Sequence, residues 1–429
     1  MSEIAISIGI SIGISLASAA LSYALTPTTT TEGPRLDTLD VPKSQFGAAI
    51  PKPFGTCRFK GCNVFWSPPL KEERKKRGGK GGKVSQKEYK YYGNFAALVC
   101  EGPIEKISRI WLNGQLYYAD GQNITPDTQK ANDLLLTQHL EIYLGTDTQN
   151  PDSTIQSFEG SDIPAFRKRV YLVFRDLPLE NFGNRIPAVD VEVVERTDLK
   201  LKDLIKEISV LSGINAASLK ITNLDTPITG YIFRQDGTTP RSTLEQLQQV
   251  FLFLGREKNS FIDFYPIEDA VVVATIPQSR LGTEGTEAIY TKKELSDREL
   301  PSEVQLEYYN QDNNHEQGIQ GIRRASKDYE NVTNIRTSLI SDDGTMAYRA
   351  SLLLSYLWMG KTRYENVSLL PLYFKDVSAG DLVELDLSIG SVTLLLNTVD
   401  LGANYRPKIE GVVFDADIDH TVTIDVPSY

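Results

Sequence analysis

Cys57, Cys62 and Cys100 could ligate a metal or pair, and His139, His315 and His420 could act as bases or ligands. None of these residues is spaced for that work. A structural zinc site needs a fourth ligand close to the thiols, and the histidines stand apart in TQHLEI, NNHEQG and DIDHTV. The three thiols are therefore expected as buried free cysteines of a chain made in a reducing compartment. His315-Glu316 opens like a zinc-protease helix, but Ile319 stands where the second histidine should be. The run GGKGGK resembles a phosphate-binding loop, yet Val84 occupies the position that needs Ser or Thr. Asp415, Asp417 and Asp419 lack the glycine and terminal glutamate of a calcium loop, and their alternation suits the wet face of a strand. There is also no G-x-S-x-G elbow. The expectation is no enzyme, no cofactor, no metal and no catalytic residue.

The elements that would carry these residues are mostly short strands. Glycines at 47, 55, 61, 93, 102 and 114 punctuate runs rich in Val, Ile, Tyr, Phe and Trp. Asn113-Gly114 predicts a two-residue hairpin turn, because a type I′ turn needs positive φ at both central positions. Lys71 to Lys90 holds nine Lys/Arg against three Glu and reads as a solvated insertion between two strands. Leu134 to Val194 reads as β again, with Gly183 and Asn184 supplying a turn and Pro187 an extended restart. The composition then shifts. Leu201, Leu204, Ile205, Ile208 and Leu211 fall at helical spacing before Gly213. Ser242 and Glu245 read as a capping box opening an amphipathic helix. With the strands ITGYIFRQ, SFIDFYPI and AVVVATI they make a small α/β module. In the last third, Glu299 to Asn314 predicts an edge strand. Ala347 to Trp358 predicts a helix stopped by Gly360, and Ala379-Gly380-Asp381 a tight turn before a strand at Leu382.

Size and charge set outer limits. The 429 residues suffice for two to four domains, and the net charge of −11 argues against a general nucleic-acid binder. Ile4 to Leu25 is about 22 residues without a charge, long enough to span a bilayer. Its Gly, Ser and Ala content suits burial against a partner segment better, so stable membrane anchoring is not expected. A Thr-rich linker, Thr26 to Pro34, follows it.

One ordered set of motifs carries a resemblance. GPRL contributes Gly33, Pro34 and Arg35. The next motif contributes Ile50, Pro51, Gly55, Arg58, Gly61, Asn63 and Trp66. CEGPI and RIW-x-x-G contribute Glu101, Gly102, Pro103 and Trp111, and FGNRIP contributes Gly183, Asn184, Arg185 and Pro187. In this order the motifs resemble phage tail hub proteins, the family of lambda-like tail-tip proteins and gene-transfer-agent hubs.

The resemblance implies a mainly β chain with two tube-like β-barrel domains, a small α/β insert and an apolar N-terminal segment. It divides the chain as 1–28, 29–198 (with a basic glycine-rich loop at 70–90), 199–295 and 296–429, the barrels open to non-contiguous assembly. It further implies a homotrimeric structural protein of the virion tail, assembled in the host bacterial cytoplasm. That protein would join the sixfold tail tube to a threefold tip and close the lumen until DNA ejection. Its implied partners are a distal tube-ring protein, a tape measure protein, tip or fibre proteins, and DNA passing non-specifically. A membrane-anchored protein using residues 4–25 and a carbohydrate-active tail protein are the alternatives.

Overall fold

Gly55 and Gly230 face each other in register on two neighbouring antiparallel strands in the middle of the largest sheet. The computed structural model describes residues 30–32, 49–78, 85–121, 125–235, 238–258, 260–282, 288–324, 330–370, 377–401 and 407–415. The apolar segment 4–25, Gly33, Pro34 and Arg35, the tip of the glycine-rich run, Asp417, Asp419 and His420 lie outside them.

Eight strands form the central sheet. Their order is Glu316–Arg323, Glu303–Asn310, Val332–Ser341, Gly230–Phe233, Lys52–Phe59, Val189–Val194, Lys106–Leu112 and Gln115–Ala119. Strands from all three large sequence regions meet in it, so this sheet crosses the expected boundaries at 198/199 and 295/296. Glu303–Asn310 is an interior strand with a partner on each side, not the expected edge, and its strict alternation of buried and half-buried residues marks one face on the core and the other half-covered. Asn113 and Gly114 both take positive φ and close the hairpin that was expected there.

A second sheet gathers on the long strand Ser85–Glu101, which pairs with Asn63–Trp66, Lys71–Gly78 and Arg169–Pro178. Lys71–Gly78 is therefore one arm of a hairpin, in register from Lys71 with Tyr92 to Gly78 with Ser85. The basic stretch was expected as a loop. Backbone pairing overrides its poor strand composition once Tyr89, Tyr91 and Tyr92 anchor the opposite arm. Two helices also break the region expected as continuous β, at Pro126–Gln138 and Ser153–Glu159. Each starts at a polar residue, Thr125 or Asp152, whose side chain accepts an N–H of the first turn.

The expected α/β module keeps both helices but only one of its three expected strands, SFIDFYPI; ITGYIFRQ supplies Gly230–Phe233 to the central sheet and AVVVATI supplies Val272–Pro277 to the C-terminal sheet, where each finds its backbone partners. Leu219–Ile221, Phe261–Pro266 and Phe253–Lys258 form a three-stranded sheet. Helices Leu201–Leu211 and Pro240–Phe251 lie beside it, burying Leu204, Ile205, Ile208, Leu247 and Val250 in one core with Phe54. Each such side chain contributes about 1.5–3 kcal/mol on leaving water. The second helix begins earlier than expected. Thr239 is its N-cap and Ser242, at the third position, completes the capping box, because Pro240 presets the first helical φ. Glu245 instead pairs with Arg241 on the wet face at 2.9 Å. Ser242→Ala should therefore cost about 1 kcal/mol and Glu245→Ala about 0.3, read as urea midpoints.

The C-terminal sheet runs Val272–Pro277, Leu382–Leu387, Gly390–Leu401, Pro407–Val413, Thr362–Ser368, Thr291–Glu294. Helix Asp343–Met359 packs against Glu303–Asn310 and Glu316–Arg323, capped by Asp342. The class is mainly β with an α/β insert, as expected, but the barrels are not there. Among the described strands no sheet closes on itself, because no hydrogen-bonded ladder returns to its first strand; three sheets are open paths and the one gathered on Ser85–Glu101 branches.

Candidate functional site

Arg58 and Trp111, far apart in sequence, come together on the central sheet. Lys52–Phe59 and Lys106–Leu112 both pair with Val189–Val194, which sits between them. Arg58 faces Glu192 in register, and Asp190 faces Trp111. Residues two apart share a strand face, so Arg109 joins Trp111 and Asp190 joins Glu192. The result is a layered cluster: the Arg58 guanidinium lies 3.9 Å from the Trp111 ring centre and that of Arg109 lies 5.0 Å away.

The carboxylates complete it. Arg58 Nη2 donates to Asp190 at 2.9 Å. Arg109 holds Glu192 through two nitrogens, at 3.0 and 2.5 Å, and Ser108 Oγ donates to the same carboxylate at 2.6 Å. Glu192 is 5% exposed, so these donors replace its water. Burial alone would raise its pKa. The hydrogen bonds from Arg109 and Ser108, with the charge of Arg109, outweigh that and hold it below 4.5.

A turn from the other end of the chain is clamped onto this face. Asn314 and His315 take successive positive φ values, 49° and 57°, a conformation that costs non-glycine residues energy. Arg58 Nη1 donates to the Asn314 carbonyl at 2.9 Å and Arg109 Nη1 to Asn314 Oδ1 at 3.3 Å. His315 is 5% exposed, its Nε2 is 3.9 Å from Glu192 and its buried Nδ1 lacks a hydrogen-bond partner. Burial pushes its pKa below 6.5; Glu192 opposes the shift, while Arg109, Arg58 and Lys60 add to it. A folded pKa below the unfolded one means that the unfolded chain binds the proton more readily. Stability is therefore present above pH 6.5 and is lost as pH falls through the folded value. Melting temperature should decline from pH 7 to 5, and His315→Asn should flatten that decline, as differential scanning fluorimetry across pH would show.

The other motif residues are backbone devices at separate places. Gly55, at φ 70°, would drive an added Cβ to 2.4 Å from the Thr229 carbonyl, and one on Gly230 would meet the Thr56 carbonyl at 2.2 Å. Glu195 seals the corner by accepting the Gly55 N–H at 3.1 Å. Gly61 donates its N–H to Asp190, and Asn63 is exposed on its strand. Trp66 leaves the cluster and donates to Glu159 at 3.0 Å, against Phe158. Ile50 and Pro51 are half-buried, and the Pro51 carbonyl accepts the Glu101 N–H. Glu101 also pairs with Arg169, and Gly102 packs on Gly145 while Pro103 is exposed. Gly183 and Asn184 take positive φ in the expected turn, Pro187 is buried, and Arg185 is exposed rather than buried at the corner. Arg109 lies in the RIW motif without being one of its expected site residues, and His315 is legible only as a base or metal ligand; Asp190, Glu192, Asn314 and Gly230 carried no sequence signal of their own. The i, i+2 spacing of Arg109 and Trp111 could have flagged Arg109.

The thiols are free. Cys57 and Cys100 are buried and Cys62 is half-buried. Burial pushes the pKa of Cys57 and Cys62 up to about 12, so the reactive thiolate is suppressed. No group of three or more His, Cys, Asp and Glu among the described residues is placed to hold a metal ion. No helix among them is long and apolar enough to cross a membrane.

Residues 239–399 match the family model described as a putative phage tail protein. No curated protein sequence matches the chain. Among solved structures, a chain of the virion of a native gene transfer agent particle aligns with a TM-score of 0.70 at 20% identity, over 91% of this chain and 90% of that one. The 43 kDa tail protein of prophage MuSo2 from Shewanella oneidensis gives 0.36 at 10% identity, over 76% and 91% of the two chains. A tail protein from Neisseria meningitidis gives 0.37 at 8%, over 86% and 99%. These two lie too far in geometry to bear on the fold. Residues 239–399 thus carry the sequence pattern of a putative phage tail protein family, and the fold is shared over nine-tenths of the chain with a gene transfer agent virion chain.

Proposed function

We propose that this chain is a structural protein of the virion tail, a homotrimeric hub that joins the sixfold tube to a threefold tip and closes the lumen until DNA ejection. The observation that carries the reading is the fold shared with a gene transfer agent virion chain along almost the whole length. The family match over residues 239–399 supports it from sequence. The site supports it in kind. The motif residues that meet do so as internal clamps, with guanidiniums stacked on an indole and buried carboxylates fully engaged, rather than as a nucleophile beside a base. Such residues build rigidity, and the role is non-enzymatic. The net charge of −11 suits a wall along which DNA slides without sticking.

In this reading the apolar segment 4–25 meets the tape measure protein or the tail axis, and the exposed sheet edges meet the tube ring and the tip or fibre proteins. Deleting Ser2 to Leu25 should abolish tail assembly. Cryo-electron microscopy of particles containing the chain, with mass spectrometry to identify it, tests the whole reading. Threefold density fitting the chain beneath the last tube ring is the expected result. Its absence from particles and recovery from host membranes would overturn the reading.

A further inference from the structure

Among the described strands the C-terminal sheet ends in two unpaired edges of opposite character. At one end Val272–Pro277 pairs only with Leu382–Leu387 among the described strands. No charge occurs from Ala270 to Ser279, and Val271, Val272 and Val273 are 70%, 47% and 38% exposed. Soluble proteins blunt such edges with lysine, proline or cover. This one has a bulge near Val273 and a terminal Pro277, with three consecutive valines still in water. At the other end Thr291–Glu294 is exposed at every position and presents Lys292 and Lys293.

The surroundings are complementary in charge. Glu268 and Asp269 lead into the valine edge, and Glu384 lies beside it, accepting from Thr275 Oγ1 at 3.1 Å. The directions agree as well. Val272–Pro277 runs parallel to Leu382–Leu387, and the following four pairings are all antiparallel. Counting across the sheet, the two edge strands point the same way. A second copy continued around an axis along the strands would bring its lysine edge beside the valine edge of the first, in parallel. That contact is heterologous, and repeated it closes a ring.

We infer that the Val272–Pro277 edge docks the Thr291–Glu294 edge of a neighbouring copy of this chain, joining the C-terminal sheets head to tail. The inference rests on the ring assembly proposed above and names its contact. Burial of the valines and completion of both ladders supply the attraction, and the acidic and basic flanks set the direction of docking.

The test combines light scattering with cysteine cross-linking of the full chain. Val272→Cys with Lys292→Cys in one chain should give, on mild oxidation, a non-reducing ladder up to the closed ring. Either single variant alone should give none. Val272→Lys should weaken association at least about tenfold and leave the far-ultraviolet dichroism and melting temperature of the subunit unchanged. A trimer that shows no ladder and tolerates Val272→Lys would overturn this contact and leave the hub reading standing. A wild-type chain monomeric at every concentration tested would overturn both.

Discussion

Gly55→Ala should destabilise the protein by about 4 kcal/mol, whereas Gly61→Ala should cost about 1 kcal/mol. The two glycines share a positive φ, 70° and 63°, so the backbone penalty of an L side chain is common to both. They differ in what surrounds the missing Cβ. At Gly61 nothing lies within 4 Å, while at Gly55 the Thr229 carbonyl lies at 2.4 Å and the Gly230 Cα at 3.1 Å. Relief would require the Gly230–Phe233 strand to move. That strand bridges Lys52–Phe59 and Val332–Ser341 in the middle of the sheet. The difference of about 3 kcal/mol is then the cost of prising this close strand pairing apart. Urea unfolding followed by fluorescence of Trp66, Trp111 and Trp358 measures it. Equal losses at both positions would show that φ strain alone matters.

Glu192→Ala should cost about 3 kcal/mol, and Lys60→Ala less than about 0.5. Both remove one partner of a close ion pair, since Lys60 Nζ and Glu316 Oε2 are 2.5 Å apart. The Lys60 pair is exposed, at 43% and 50%, and water takes over its charges when it breaks. Removing the 7%-exposed Glu192 side chain leaves Arg109 without its carboxylate beside a second guanidinium on the same indole, while Ser108 keeps the Glu192 backbone carbonyl at 3.2 Å. Arg109 is 36% exposed, so partial rehydration keeps the loss at the low end for a broken buried pair. The double variant with Arg109→Ala should recover part of the loss, because it removes the orphaned charge. A strictly additive cycle in urea denaturation would contradict the assigned network.

Local rules carried well where the cause was local. Asn113-Gly114 had to turn because both positions need left-handed backbone, and the apolar stripe from Leu201 to Leu211 had to be a helix with one buried face. The glycine-punctuated strands and free cysteines followed from composition in the same way. Local reasoning failed where a nearby residue had a stronger rival. Pro240 drew the helix start ahead of the Ser242–Glu245 pair, and a tyrosine-rich arm drew Lys71–Gly78 into a ladder against its charge.

The mainly β class, the two helices of the α/β insert and the motif order that resembles tail hubs were all legible along the chain. These depend on periodicity, turn chemistry and residue identity over a few positions. Three-dimensional folding alone settles that the described sheets stay open, that Gly55 meets Gly230, and that Arg58, Trp111, Glu192 and His315 form one clamp. Each of those depends on which strands pair across 50 to more than 250 residues of chain. Pairing is settled by the burial and hydrogen bonding of all strands together, and no short window of sequence contains it.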